Sequence, residues 1–210
     1  MRILIAVPCF DMIHTEFVRS FIDLEKPDGT AYAFITNTMI YDARNTIAQN
    51  AIKEGFDRVL WLDSDMTVKP DTLMRLSADM DDMGMNFVSG LYFKRKPPIN
   101  PVLCDTLYRR VTESGDVECA ASSYVDYPKD SVFEIAGAGF GCVMTSAELL
   151  RRLVDKYGAP FTPMMGMGED LSFCLRATCV GVKMFCDSRI KCGHIGQRVY
   201  GEEDLHPIAP

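Results

Sequence analysis

The sequence has no apolar run long enough to cross a bilayer. The longest one near its start, Ile3 to Val7, is five residues, whereas a spanning helix needs roughly 20 and a secretory core about 7–15. The chain is therefore expected to be soluble and cytoplasmic. It also lacks a surplus of positive charge: 22 Lys and Arg against 29 Asp and Glu give a net −7, which leaves no general electrostatic footprint for nucleic acid. The eight cysteines contain no Cys-X-X-Cys pair. Cys174, Cys179, Cys186 and Cys192, crowded ahead of His194, match no standard zinc spacing, so buried or free thiols are expected. Signs of disorder are equally absent, since 48% hydrophobic and 24% charged residues are ordinary for a globular chain. A length of 210 residues suits one domain that buries most of its apolar surface. That domain is assigned to residues 1–200, and the patternless, Pro-containing residues 201–210 to a tail.

What is present is organised around residues 43–73. Ala43, Ile47, Ala48, Ala51 and Ile52 recur at helical spacing, with Asp42 as cap and Gly55 as stop. The apolar run Val59–Leu62 follows as a buried strand, and Asp63, Ser64 and Asp65 follow that. The carboxyl end of a strand is the ligand-binding edge of an open α/β sheet, and two carboxylates one residue apart can share a hard divalent cation that bridges to phosphate. Arg44 sits in the first helical turn, where the helix dipole disfavours a cation. Something must hold it there, and a salt bridge to Asp42 or Asp11 is one candidate.

Around this stretch, Ile3–Val7 reads as a first strand ended by Pro8, with Cys9 and Phe10 in the loop beyond. Residues 14–25 read as a core-facing helix through Phe17, Val18, Phe21, Ile22 and Leu24. Ala31–Ile35 is a second strand. Pro70 fits the first position of a helix carrying Leu73, Leu76, Met80 and Met83, with Asp79, Asp81 and Asp82 on its solvated face. A strand over 86–93 leads to Lys94-Arg95-Lys96-Pro97-Pro98, either a solvated loop or a patch that recruits an anionic acceptor. Residues 113–116 read as a hairpin turn between 108–112 and 117–119. Gly137-Ala138-Gly139-Phe140-Gly141 lacks the spacing of a dinucleotide fingerprint; its glycines permit close approach of a ligand or close packing of a central strand. Glu169-Asp170 opens a helix, which dipole and capping alone would favour. Short strands are expected at 182–185 and 189–192, ahead of His194.

Ala43-Arg44-Asn45, Asp63-Ser64-Asp65 and Pro70, taken together, resemble the glycosyltransferases of the GT-A fold, family 2 in particular, and the small stand-alone bacterial or bacteriophage type. The segment from Gly168 to Arg176 looks like the acidic-pair helix start of the same family. The resemblance implies an α/β fold with a doubly wound, mostly parallel sheet of nucleotide-binding type and a small antiparallel addition. It implies metal-dependent, inverting transfer of a sugar from a nucleotide-diphosphate sugar, a UDP-sugar for preference, to a hydroxyl acceptor. Asp63, Asp65 and His194 would hold Mn²⁺ or Mg²⁺. Pro8, Cys9, Phe10, Arg44, Asp63, Ser64, Gly137, Ala138 and Gly139 would line the donor, with Arg44 on its phosphates. Asp170 would be the base, and Glu169 would orient the acceptor or cap the helix. The acceptor stays open among a glycan, a lipid carrier, a protein and a hydroxylated DNA base, and residues 101–135 are where it would touch.

Two rival readings stand beside this one. A nucleotidyltransferase of related fold would want a Gly-rich loop with a basic residue after the first strand, and residues 8–14, PCFDMIH, have neither. A non-catalytic nucleotide-binding scaffold would have no need to keep Asp63, Asp65, Asp170 and His194.

Overall fold

The computed structural model describes residues 1–196 and 199–204. In chain order the elements are β1 (Ile3–Pro8), α1 (Thr15–Asp23), β2 (Ala31–Ile35), α2 (Ile40–Lys53), β3 (Arg58–Leu62), β4 (Met66–Thr67), α3 (Thr72–Met83) and β5 (Phe87–Leu91). They continue with β6 (Leu103–Val111), β7 (Val117–Ser123), β8 (Val132–Ile135), β9 (Gly137–Ala138), β10 (Cys142–Ser146), α4 (Ala147–Tyr157), α5 (Glu169–Cys179), β11 (Met184–Lys191), β12 (Gly193–Ile195) and β13 (Val199–Tyr200).

Successive strand residues point to opposite faces, and here both faces are covered. Ile3, Ile5, Val7, Leu60 and Leu62 pack with Phe17 of α1 and with Leu73, Leu76 and Met80 of α3. Leu4, Ala6, Val59 and Trp61 pack on the other side with Ile47 and Ala51 of α2, Leu149 and Leu153 of α4, and Phe173 of α5. Burial on both sides is why β1 and β3 read as continuous apolar runs rather than alternating ones. The indole of Trp61 donates to Thr145 Oγ1 at 2.9 Å, which satisfies a polar group the core would otherwise strand.

The central sheet has seven strands in the order β2-β1-β3-β10-β5-β11-β8. β1 runs parallel to β2 and β3, and β5 parallel to β11, while β10 is antiparallel to both β3 and β5, and β8 antiparallel to β11. Five strands therefore share one direction, and two, β10 and β8, oppose it. Two three-stranded sheets complete the fold, β7-β6-β9 and β13-β12-β4, and they are the expected antiparallel addition. Among the described residues no helix is long and apolar enough to cross a membrane.

Several local expectations are corrected. α1 buries Phe17, but Val18 is 40% exposed and Ile22 69%, because α1 covers the sheet near its edge strand β2 and only part of its apolar stripe meets the core. α2 begins at Ile40, with Met39 rather than Asp42 in the capping position and no side-chain cap. Arg44 consequently lies beyond the first turn, where the helix dipole has little say. α3 starts at Thr72 after Asp71, so Pro70 precedes the helix. Residues 184–191 form one strand with an irregularity between Asp187 and Lys191, where two short strands were expected. Asp79 is not solvated: its carboxylate accepts from Arg189 Nη2 at 3.1 Å beside fully buried Asp187. All eight cysteines are free thiols. Within residues 201–204, Glu202 accepts from Tyr127 Oη at 2.7 Å and pairs with Lys129 and Lys191; residues 205–210 of the expected tail lie outside the described residues.

Candidate active site

The chemistry gathers where β1, β3 and β5 end and antiparallel β10 begins, the point at which β10 interrupts the run of parallel strands. Pro8 closes β1, Asp63 follows β3, and Tyr92 follows β5. The Asp63 amide donates to Gly141 O at 3.1 Å, which fixes the acidic turn against the start of β10. The turn closes with Met66 N donating to Asp63 O at 3.1 Å. Its far end is held by β4 pairing with β12, and Ile195 N donates to Asp65 O at 2.7 Å. These late pairings bring His194 back to Asp65 across the chain.

Arg44 is the centre of one half of the site. Its side chain is fully buried; Nη2 donates to Asp63 Oδ1 at 2.8 Å, and Nη1 donates to Glu169 Oε1 at 2.9 Å and also to Asp170 Oδ1. Its guanidinium carbon sits 5.3 Å from the Phe140 ring centroid. Burial alone would lower the pKa of Arg44, but the charges of Asp170, Asp63 and Glu169 outweigh it and keep the guanidinium firmly protonated. Burial pushes the Asp63 carboxyl up to about 6, with Asp170 and Asp65 adding to the rise and Arg44 opposing it. Glu169 is raised as well, by burial and then by Asp170, against Arg44. Neighbouring Asn45 is equally structural: its Oδ1 accepts from Phe161 N at 2.9 Å and so ties α2 to the loop before α5.

The other half is built on Asp65. Its Oδ2 accepts from Arg95 Nη1 at 2.7 Å and faces His194 Nε2 at 3.6 Å. Burial would raise the Asp65 carboxyl, but the hydrogen bond and charge of His194, with the charge of Arg95, leave it below the usual range. His194 Nδ1 lies 2.7 Å from Phe93 O. A carbonyl can only accept, so Nδ1 carries a proton and Nε2 is the nitrogen turned to Asp65. That is the arrangement by which an outer hydrogen bond orients a metal-ligating imidazole. Among the described residues no three His, Cys, Asp or Glu side chains stand close enough to hold a metal as they are. The donor types nevertheless fit a hard or borderline divalent cation, which one or two carboxylates, an imidazole and phosphate oxygens commonly bind.

A cavity of about 600 Å³ unites these groups. Pro8, Cys9, Phe10, Asp63, Ser64, Asp65, Asp170 and His194 all line it. Asp170 also lines a second cavity of about 330 Å³ that reaches Cys104 and Ser123 of the β6–β7 hairpin and Gly139. Arg44 and Glu169 stand behind the wall of the first cavity. Arg44 pairs with neither Asp42 nor Asp11; its partners are the three site carboxylates. The glycine segment is closely packed: a Cβ on Gly137 would come within 3.0 Å of Leu107 and 3.3 Å of Cys174, and one on Gly139, which also lines the second cavity, within 2.7 Å of Val102 and closer still to the Tyr92 hydroxyl. Ala138 is buried in β9. Tyr92 and Arg95 were not singled out from the sequence. Tyr92 accepts from Gly141 N at 3.1 Å and packs edge-on to His194 with ring centroids 5.4 Å apart; its place just past an apolar strand was a usable signal. Arg95 was visible only as part of a basic cluster.

The architecture is the GT-A fold. No protein-family model matches the chain, and no curated protein is similar to it in sequence. Among solved structures it is similar to the A197 protein from STIV, with a TM-score of 0.69 and 16% identity over 97% of this chain and 92% of that one. It is also similar to GalNAc-T7, solved with UDP, GalNAc and Mn²⁺, with a TM-score of 0.57 and 11% identity. That second match covers 93% of this chain but 44% of GalNAc-T7, so this chain corresponds to less than half of that protein.

Proposed function

We propose that the protein transfers a sugar from a nucleotide-diphosphate sugar, a UDP-sugar for preference, to a hydroxyl acceptor with inversion at the anomeric carbon. The observation that carries this reading is one cavity lined both by Pro8, Cys9 and Phe10 and by Asp63, Asp65, Asp170 and His194. An elongated donor needs apolar and backbone surface for its base, and carboxylates near its diphosphate. The likeness to a protein solved with UDP and Mn²⁺ points the same way.

In this reading Asp65 and His194, with Asp63 beside them, would hold Mn²⁺ or Mg²⁺. When bound, the cation supplies Lewis-acid neutralisation of the departing nucleotide diphosphate. Ser64 and the backbone of residues 8–10 position the nucleotide. Asp170 lines both cavities, which suits a base that receives the acceptor hydroxyl on one side and meets the sugar on the other. It takes the hydroxyl proton as the new glycosidic bond forms and the bond to the diphosphate breaks. Arg44 keeps Asp170 aimed, and Glu169 shares that guanidinium. The acceptor itself, whether glycan, lipid carrier, protein or hydroxylated DNA base, would enter past the β6–β7 hairpin.

The test is a screen of nucleotide sugars for release of nucleotide diphosphate, with and without EDTA. The reading expects Mn²⁺-dependent release from one donor class, lost in Asp65→Ala. Release that is equally fast in EDTA would sink the metal-assisted form of it.

A further inference from the structure

We propose that Arg95 is a built-in counter-ion of the cation site: it competes with the divalent metal for Asp65 and swings into the neighbouring basic groove when the metal binds. This rests on reading Asp65 and His194 as cation ligands, and it adds a means by which the chain regulates that site.

Arg95 Nη1 lies 2.7 Å from Asp65 Oδ2, the same oxygen that faces His194 Nε2 at 3.6 Å, and 3.4 Å from Ile195 O. The guanidinium thus takes the carboxylate oxygen nearest the imidazole, where a cation would sit about 2.0–2.2 Å from its ligands. A guanidinium and a dication cannot both hold that oxygen without strong like-charge repulsion. Arg95 is also built to leave. Its side chain is 46% exposed, against 1% for Arg44, and a single exposed ion pair is weak.

The geometry provides a destination. A groove of about 870 Å³ adjoins the site; Arg95 already borders it, with Lys94, Lys96, Pro97, Pro98 and His194, and among the described residues no carboxylate lines it. The loop carrying these cations is anchored at its base, where Lys94 N donates to Asn100 O at 2.9 Å and Phe93 pairs with Pro101. Arg95 released into this groove joins Lys94 and Lys96 as a cluster suited to phosphate oxygens. Cation binding and anion binding are then coupled, each favouring the other by the same factor.

The test measures Mn²⁺ alone, with no nucleotide, by calorimetry at low ionic strength on the wild type, Arg95→Gln and Arg95→Lys, each checked by its melting curve. Removing the competitor should tighten Mn²⁺ binding roughly three- to fivefold in Arg95→Gln, the range an exposed ion pair allows. Arg95→Lys, which keeps the charge, should stay near the wild type. Unchanged or weaker Mn²⁺ binding in Arg95→Gln overturns the proposal. Asp65→Asn separates this failure from that of the parent reading: if it binds Mn²⁺ as well as the wild type, Asp65 is not a cation ligand at all.

Discussion

Arg44 and Arg95 each pair with one carboxylate of the same acidic turn, yet they belong to different kinds of structure. Arg44 is fully buried and holds three carboxylates from two distant parts of the chain. Arg95 is nearly half exposed and holds Asp65 from a surface loop. The chemistry of the two pairs is the same; the solvent around them differs. A buried pair cannot be opened without stranding charge in a low dielectric, whereas an exposed pair exchanges readily for water or another ion. One side of the turn is therefore scaffold and the other is replaceable.

The strongest way to break this contrast is to truncate both arginines. Arg44→Ala should destabilise the fold by about 3–5 kcal/mol, the usual penalty for removing one partner of a buried ion pair, and Arg95→Ala by about 0–1 kcal/mol. Chemical denaturation of the two variants decides the matter, and equal losses would erase the distinction.

Asp170 tests whether the scaffold side also does chemistry. A positioned base contributes roughly 10²–10⁴-fold, so Asp170→Asn, which keeps shape but cannot accept the proton, should lower turnover by at least about 100-fold. Nucleotide-diphosphate binding should stay near the wild type, since Asp170 is not among the residues assigned to it. Full transfer activity in that variant would remove Asp170 from the mechanism.

A smaller effect is expected from the glycine segment, which also belongs to the rigid side. Gly139→Ala places a methyl against Tyr92 and Val102, and overpacking of this kind costs about 1–3 kcal/mol. Gly168→Ala, with nothing within 4 Å of its added Cβ, should leave the melting temperature almost unmoved.

The last prediction extends the contrast to a third acidic cluster away from the site. Burial and the neighbouring Asp187 push the Asp79 carboxyl up to about 6, with Arg189 and Arg75 opposing. A native pKa above the ordinary value of about 3.9 means the folded state binds the extra proton. The contribution of Asp79 to stability is therefore most favourable below pH 4 and is lost as pH rises through 6. Asp79→Asn should remove that slope, so that the variant gains on the wild type by on the order of 1 kcal/mol between pH 4 and 7. Unfolding curves across that range check it; a constant difference would show that Asp79 is already ionised throughout.

Much of the fold was legible before any coordinates. The runs at 3–7 and 59–62 are buried on both faces, and such strands announce themselves as continuous apolar stretches. Ser146, a residue type favoured at helix starts, caps α4, and its Oγ accepts from Leu149 N at 3.1 Å. Two of the misreadings share one cause: they concern what an element packs against. The apolar stripe of α1 gave no hint that Val18 and Ile22 would stay exposed, because periodicity records amphipathicity and not the extent of the neighbouring sheet. Asp79 looked like surface because the partner that buries it, β11, lies more than a hundred residues downstream.

The sequence by itself determined which side chains could do chemistry and where strands would end: the acidic turn after β3, the acidic pair opening α5, the histidine near the close of the chain. Local pattern suffices for that, since strand ends and helix starts are set by residues a few positions apart. Only the tertiary structure decided which of these groups meet. It turned Arg44 from a candidate phosphate ligand into the buried tie among Asp63, Glu169 and Asp170, aimed His194 Nε2 at Asp65 through β12, and set Arg95 on the same carboxylate oxygen. Those contacts join residues 19 to 129 positions apart. Burial and long-range pairing, which fix them, leave no periodic trace along the chain.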